Sequence, residues 1–209
     1  SAFDMNIVKN LFETGKIDKT IEVVCNGFKT DDYLAKISDL INNGFENVIP
    51  VLDNYRELDK LTESIDTTFD IGIRIASEEE PKFEFYTSRL GIGYKDIIPY
   101  YSQKIAEHPN ARLKMLHFFI NTGIKDTAYY WNELFKCLRV YARLKKIAPE
   151  VDSLNIGGGF PIKNSLQFDY DYEYMANEIV YQIKKFCEEE GVEEPNIYTE
   201  FGSFTVGES

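Results

Sequence analysis

The chain has little of what would tie it to metals, nucleic acids or membranes. Across 209 residues there are two histidines, His108 and His117, and three scattered cysteines, Cys25, Cys137 and Cys187. No Cys-x-x-Cys pair and no metal-ligand spacing results, so no metal site is expected. An odd number of cysteines so far apart does not make a disulfide framework and suits a reducing compartment, which places the chain in the cytoplasm. Acidic residues outnumber basic ones, 35 to 23, for a net charge of −12. That sign disfavours nucleic acid and anionic membrane, and neither is expected as a partner. No apolar run has the ~20 residues of a membrane-spanning helix, and the basic-then-apolar order of a signal peptide is absent at the N-terminus. Low-complexity tracts and hinge-like linkers are missing too, so residues 1–209 read as a single domain.

What is present is a core-forming alternation. Hydrophobic residues make up 44% of the chain, which excludes disorder. Short apolar runs rich in β-branched residues fall at 21–27 (IEVVCNG), 47–53 (NVIPVLD), 70–76 (DIGIRIA), 111–121 (ARLKMLHFFIN), 153–159 (SLNIGGG) and 196–202 (NIYTEFG). Between them lie amphipathic stretches at helical spacing, such as DDYLAKISDLINNG, IIPYYSQKIAEH, TAYYWNELFKCLRVYARLKKI and DYEYMANEIVYQIKKFCEEEG. Strand and helix in turn predict a parallel α/β fold. Six strands preceded by a helix match a (β/α)8 barrel lacking its first two strands. A doubly wound open sheet of six strands accounts for the same pattern.

Either architecture gathers ligands at the C-terminal ends of its strands. Gly157, Gly158 and Gly159 follow one such strand, where free backbone N–H groups can face a phosphate; a tight turn with close packing explains three glycines equally well. Glu200 puts a carboxylate at the end of an apolar run, and there it needs a cation or a ligand. Arg74 carries charge into another strand, with Glu200 as one available partner. His117, Phe119 and Asn121 share a face by the period of two; His117 suits proton transfer and Phe119 stacking on a planar ligand, while both also suit plain core packing. The acidic-then-aromatic stretch 77–94 reads as a surface excursion.

Taken in order, VCNGFK, IGIRIA, SRLGIGY, LHFFINTG, NIGGGFP and TEFGSFTVGES resemble the barrel domain of PLP-dependent, fold type III decarboxylases, the alanine-racemase-like group. The nearest branch is that of bacterial biosynthetic arginine decarboxylases. The resemblance implies a PLP fold type III barrel, present here in part, with pyridoxal 5′-phosphate as cofactor. It implies that Gly157, Gly158 and Gly159 bind the phosphate, with Gly202 adjoining it. Glu200 then bonds the pyridine nitrogen, Arg74 lies near the ring, and Ser88, Arg89 and Gly91 lie close to the site. His117 matches the first histidine of the family's H-F-H-x-G-S strand.

Departures accompany the likeness. Phe119 stands where the family has the ring-stacking histidine, Asn121 and Thr122 replace Gly-Ser, and Ser203 replaces the phosphate-binding arginine of E-x-G-R. The family's Schiff-base lysine lies on a strand upstream of Ser1, and no lysine here, Lys163 included, falls at that position. The resemblance thus implies a piece of a larger carboxy-lyase, inactive by itself and homodimeric when whole. Its implied substrate is a small basic amino acid, arginine, converted to agmatine in polyamine biosynthesis. Diaminopimelate, ornithine and carboxynorspermidine decarboxylases, or a non-catalytic regulatory relative, are the alternatives.

Overall fold

The computed structural model describes residues 1–76, 90–120, 123–162 and 168–202. Helix α1 (Ala2–Glu13) precedes β1 (Glu22–Cys25). Then follow α2 (Asp31–Asn42), β2 (Asn47–Leu52), α3 (Arg56–Thr62), β3 (Phe69–Arg74), α4 (Ile97–Tyr100), β4 (Ala111–His117), α5 (Ala128–Lys145), β5 (Ser153–Asn155), α6 (Tyr172–Glu190) and β6 (Asn196–Tyr198). Three of the helices start on one device. The side chains of Thr30, Thr127 and Asp171 accept from the N–H three residues on, at 3.3, 3.2 and 2.9 Å, satisfying a donor that the helix itself leaves free. The stretch expected as one helix at 97–108 is instead a single α-turn passing into a π-helical turn, Tyr101–Ile105, whose Ala106 N–H reaches the Tyr101 carbonyl at 2.9 Å.

All six strands are parallel and pair in sequence order, β1-β2-β3-β4-β5-β6. A doubly wound sheet reverses its order at a switch point, and this sheet has none, so the barrel-type architecture holds. The six strands form a curled half-barrel. Its curl brings the outermost strands within side-chain reach across the concave face, where the Tyr198 hydroxyl donates to Glu22 at 2.8 Å.

Residues paired in the register share a face. One concave row runs Val51, Gly72, Met115, Ser153, Asn196; the next runs Arg74, His117, Asn155, Tyr198. Ile49, Val51 and Met115, with Val24 and Tyr198 beside them, make an apolar floor. The alternate residues, Ile71, Ile73, Leu116 and Leu154, face the helices and are fully buried. Each such side chain contributes roughly 2 kcal/mol of burial. Most of the apolar burial therefore lies on the convex side, and above the small apolar floor the strand ends of the concave side are left for chemistry.

One irregularity sets which residues those are. The register shifts between Ile71 and Gly72, so that Ile71 pairs with Leu113 but Gly72 with Met115. The extra residue on β4 is Lys114. A one-residue slip inverts the facing of everything after it, so this bulge turns Met115 and His117 to the concave side.

A buried ion pair fastens the loops after β1 and β2. Lys29, 2% exposed, places Nζ 3.0 Å from Glu57 Oε2 and 2.9 Å from the Gly27 carbonyl, and also bonds the Val51 carbonyl. Glu57 in turn accepts from the Asp53 N–H at 2.9 Å and from the Asn54 amide at 3.0 Å. Removing one partner of such a pair strands the other charge. Glu57→Ala should lower unfolding free energy by about 3 kcal/mol in urea denaturation; a loss under about 1 kcal/mol would contradict this role.

Candidate functional site

The C-terminal ends of all six strands contribute a polar side chain to the concave face: Asn26, Asp53, Arg74, His117, Asn155 and Glu200. Arg74, His117 and Asn155 stand side by side in one register row. Asn26 and Asp53 follow the inward Val24 and Val51 by two residues, and Glu200 follows Tyr198 by two. The sequence reading identified Arg74, His117 and Glu200 and missed the other three. Their signal was available: each ends an apolar strand with a polar residue at inward parity.

Glu200 differs from its expectation in two respects. It follows a short edge strand that is largely exposed rather than buried, and its own side chain is 36% exposed. Nor does it pair with Arg74. Its Oε1 accepts from the Asn155 amide at 2.7 Å and from the Asn26 amide, and lies 3.6 Å from His117 Nε2. Arg74 instead has Asp53 as its nearest acid among the described residues, at 3.9 Å. Strand order explains the difference, because β2 adjoins β3 whereas β6 lies three strands away.

Burial sets the electrostatics. His117 is 2% exposed, and its pKa is pushed down to about 3 by burial, helped by the positive charges of Arg74 and Lys29. It is a neutral imidazole. Asp53 is buried too, and burial raises its carboxyl pKa against the pull of Lys29 and Arg74. Both Asp53 oxygens, both His117 nitrogens and Arg74 Nε lack a hydrogen-bond partner among the described residues. Orphaned polar atoms at this density are rare in folded proteins and point to a site made for a polar ligand or bound water. The Arg74 guanidinium lies 5.6 Å from the centre of the Phe119 ring, within cation–π range.

The glycine turn answers to packing first. Gly157 and Gly159 have φ of 72° and 98°, in the left-handed region. A Cβ on Gly157 would stand 2.7 Å from the Phe118 carbonyl oxygen, and one on Gly159 2.7 Å from the Gly123 Cα. On Gly158 it would collide with the Glu200 carbonyl oxygen. Three backbones meet here, joined by Glu200 N–H to the Gly157 carbonyl at 3.0 Å and Ile124 N–H to the Gly159 carbonyl at 2.9 Å. Yet the Gly158 and Gly159 N–H groups have no partner among the described residues. The tight turn and the anion cradle are thus compatible, since packing uses the carbonyls and leaves these donors over.

Phe119 is half-buried, with its ring edge beside Gly157. Gly91 serves packing: its φ is 108°, and its N–H donates to the Asp53 carbonyl at 2.8 Å. Gly202 is exposed, with open space around it. Ser88, Arg89, Asn121, Thr122, Lys163 and Ser203 lie outside the described residues. No helix among the described residues is long and apolar enough to cross a membrane.

Two outcomes follow. Gly158→Ala should force β5 and β6 apart at their ends and lower the urea midpoint; an unchanged midpoint would refute the close approach. His117, neutral when folded but protonated below about pH 6.5 when unfolded, favours the unfolded state as pH falls from 6.5 towards 3. Between pH 6.5 and 5 wild-type stability should therefore fall towards the limit of about 1.4 kcal/mol per pH unit that one proton allows. His117→Gln should flatten that slope, and equal slopes would show that His117 is not buried neutral.

Comparison with known proteins gives the lineage of the chain. Residues 13–207 match the family described as "Pyridoxal-dependent decarboxylase, pyridoxal binding domain". The biosynthetic arginine decarboxylase of Citrifermentans bemidjiense is 27% identical over 201 residues, covering 89% of this chain and 32% of that protein. That of Geotalea uraniireducens is 29% identical over 211 residues, covering 93% and 32%. The chain thus spans about a third of the length of these curated relatives. Among solved structures, the biosynthetic arginine decarboxylase of Campylobacter jejuni superposes with a TM-score of 0.70 at 22% identity, over 94% of this chain and 33% of that one. The lysine decarboxylase of Selenomonas ruminantium gives 0.72 at 21%, over 98% and 49%. These structural likenesses carry the fold, and the family match carries the lineage: the chain belongs to the pyridoxal-binding domain family of the pyridoxal-dependent decarboxylases.

Proposed function

We propose that residues 1–209 are the PLP-binding barrel domain of an amino-acid decarboxylase whose substrate is L-arginine and whose product is agmatine. One observation carries the reading. A carboxylate held by two amides stands beside a glycine turn with unused N–H donors, at the open end of a half-barrel. Both ends of pyridoxal phosphate fit the residues present. The Gly158 and Gly159 N–H groups would hold the phosphate, and Glu200, whose Oε2 has no partner among the described residues, would bond the ring nitrogen. Phe119 would offer its ring face and Arg74 a nearby positive charge. When bound, the cofactor supplies an electron sink for the charge left behind by departing CO2.

The chain's own residues prepare that chemistry. The glycine turn binds and orients the phosphate end. Glu200 holds a proton on the ring nitrogen, which strengthens the sink. His117 lies 3.6 Å from Glu200 as a neutral imidazole, able to give or accept a hydrogen bond, and brings no extra positive charge there. The replacement of the family arginine by Ser203 leaves the phosphate held more by backbone N–H groups than by charge.

Arginine is favoured over diaminopimelate, ornithine or carboxynorspermidine because the curated relatives above are arginine decarboxylases. The lysine decarboxylase of like fold supports the wider class of basic amino acids. A homodimer in the cytoplasm belongs to the same proposal. The test is made on the full-length protein, which should show the visible absorption of a lysine-bound cofactor that borohydride fixes to one lysine, and should release agmatine and CO2 from arginine. No band and no fixed lysine would favour the non-catalytic relative instead. Glu200→Gln should retain the cofactor and lose at least about a hundredfold in kcat, the scale of one electrostatic contact to the reacting system; undiminished turnover would refute its role.

A further inference from the structure

We infer that Asn155 is a positioning residue that couples the glycine turn to Glu200 and fixes where the carboxylate points. This rests on the proposed cofactor role of Glu200. Asn155 is 1% exposed, with both ends of its amide committed. Its Oδ1 accepts from the Gly157 N–H at 2.8 Å, and its Nδ2 donates to Glu200 Oε1 at 2.7 Å. The orientation of the amide is therefore set, because only the oxygen can accept from an N–H. The same side chain shapes the first residue of the turn and holds the acid on the next strand.

The bond acts on one oxygen alone. Asn26, from β1, donates to the same Oε1, and the neutral His117 Nε2 lies 3.6 Å from it. Oε1 thus takes hydrogen bonds from two strands with the imidazole of a third close by, which leaves Oε2, without a partner among the described residues, for a ligand. A carboxylate only about two-thirds buried would otherwise rotate among several rotamers, and immobilising it beforehand spares that ordering on binding. The carbonyl of Glu200 packs against Gly158, so backbone and side chain are set by the same strand end.

An aspartate at position 155 keeps the acceptor for Gly157 and loses the donor to Glu200. Asn155→Asp therefore removes only the half of the link at issue and sets two carboxylates against each other. Four full-length proteins are compared in apo form: wild type, Asn155→Asp, Glu200→Gln and the double variant. In urea, Asn155→Asp should lower the midpoint in the wild-type background and leave it nearly unchanged in the Glu200→Gln background, where an amide at position 200 can donate in return. PLP titration, followed by the visible band, should give at least a tenfold weaker Kd for Asn155→Asp, and less than a twofold further change when it is added to Glu200→Gln. Asn26→Asp, on a different strand, should repeat both patterns and serves if Asn155→Asp does not fold. Equal effects in both backgrounds, or a wild-type Kd for Asn155→Asp, would overturn the inference. Failure of the wild type to bind PLP would sink the cofactor reading instead, and the urea comparison would then decide the Asn155–Glu200 link by itself.

Discussion

A single inserted residue on β4 governs what the concave face presents. Below the shift at Lys114, the alternate residues Ala111 and Leu113 face the helices; beyond it Met115 and His117 face inward. Without the bulge, Leu116 and Phe118 would occupy the site row and His117 would be pressed against the helices. The cost of a bulge is local, one unpaired residue and extra twist, and twist is what a curled sheet requires. The irregularity therefore serves curvature and site together. Because register propagates from strand to strand, β5 inherits the facing from β4 and β6 inherits it from β5. The position of Glu200 is thereby set, at a distance, by where Lys114 is accommodated.

The polar row that results is divided in two by charge. On the β1–β3 side, Lys29, Glu57, Asp53 and Arg74 form a buried cluster of two cations and two acids. On the β4–β6 side stands Glu200, held by the neutral amide donors of Asn26 and Asn155 with the neutral His117 ring 3.6 Å away. Burial alone would raise the free energy of every charge here. The first group offsets this by mutual attraction, the second by hydrogen bonds and by leaving Glu200 partly in water. Burial, helped by the positive charges of Arg74 and Lys29, keeps His117 from protonating, so no imidazolium arises next to Glu200. A neutral neighbour leaves the carboxylate available to the ring nitrogen that the proposed function would place against it, for which an imidazolium would compete.

Most of the architecture was legible in the sequence because its period is local. Six apolar runs and the amphipathic stretches between them state strand and helix within windows of a few residues, and Thr30, Thr127 and Asp171 mark helix starts. Strand order was not legible in the pattern, since nothing in a run names its neighbour; periodicity left the barrel and the doubly wound sheet level, the family resemblance implied the barrel, and the pairing of β1 through β6 bears it out. The bulge and the π-helical turn at Tyr101–Ile105 left no mark in composition either. In the site, Glu200, Arg74 and the glycines stood out as residue types out of place. Asn26, Asp53 and Asn155 did not, because a polar residue closing a strand reads as the start of a loop. Glu200, one available partner for Arg74 by charge, does not pair with it, for the same reason as strand order: opposite charges allow a pair, but only topology says which charges are adjacent.

The two readings of the glycine triplet were never exclusive, and the geometry explains why. A backbone amide has one donor and one acceptor, and a turn can spend them separately. Here the carbonyls of Gly157 and Gly159 hold the neighbouring chains, which is why no Cβ is tolerated at any of the three positions. The N–H of Gly157 goes to Asn155, and those of Gly158 and Gly159 have no partner among the described residues. Close packing thereby fixes the peptide planes, and fixed planes aim the free N–H groups without the ordering cost that a flexible loop would carry on binding an anion. The rigidity that makes the turn look purely structural would equally suit it to hold a phosphate in the proposed site, and the two hydrogen bonds of Asn155 tie that turn to the Glu200 carboxylate.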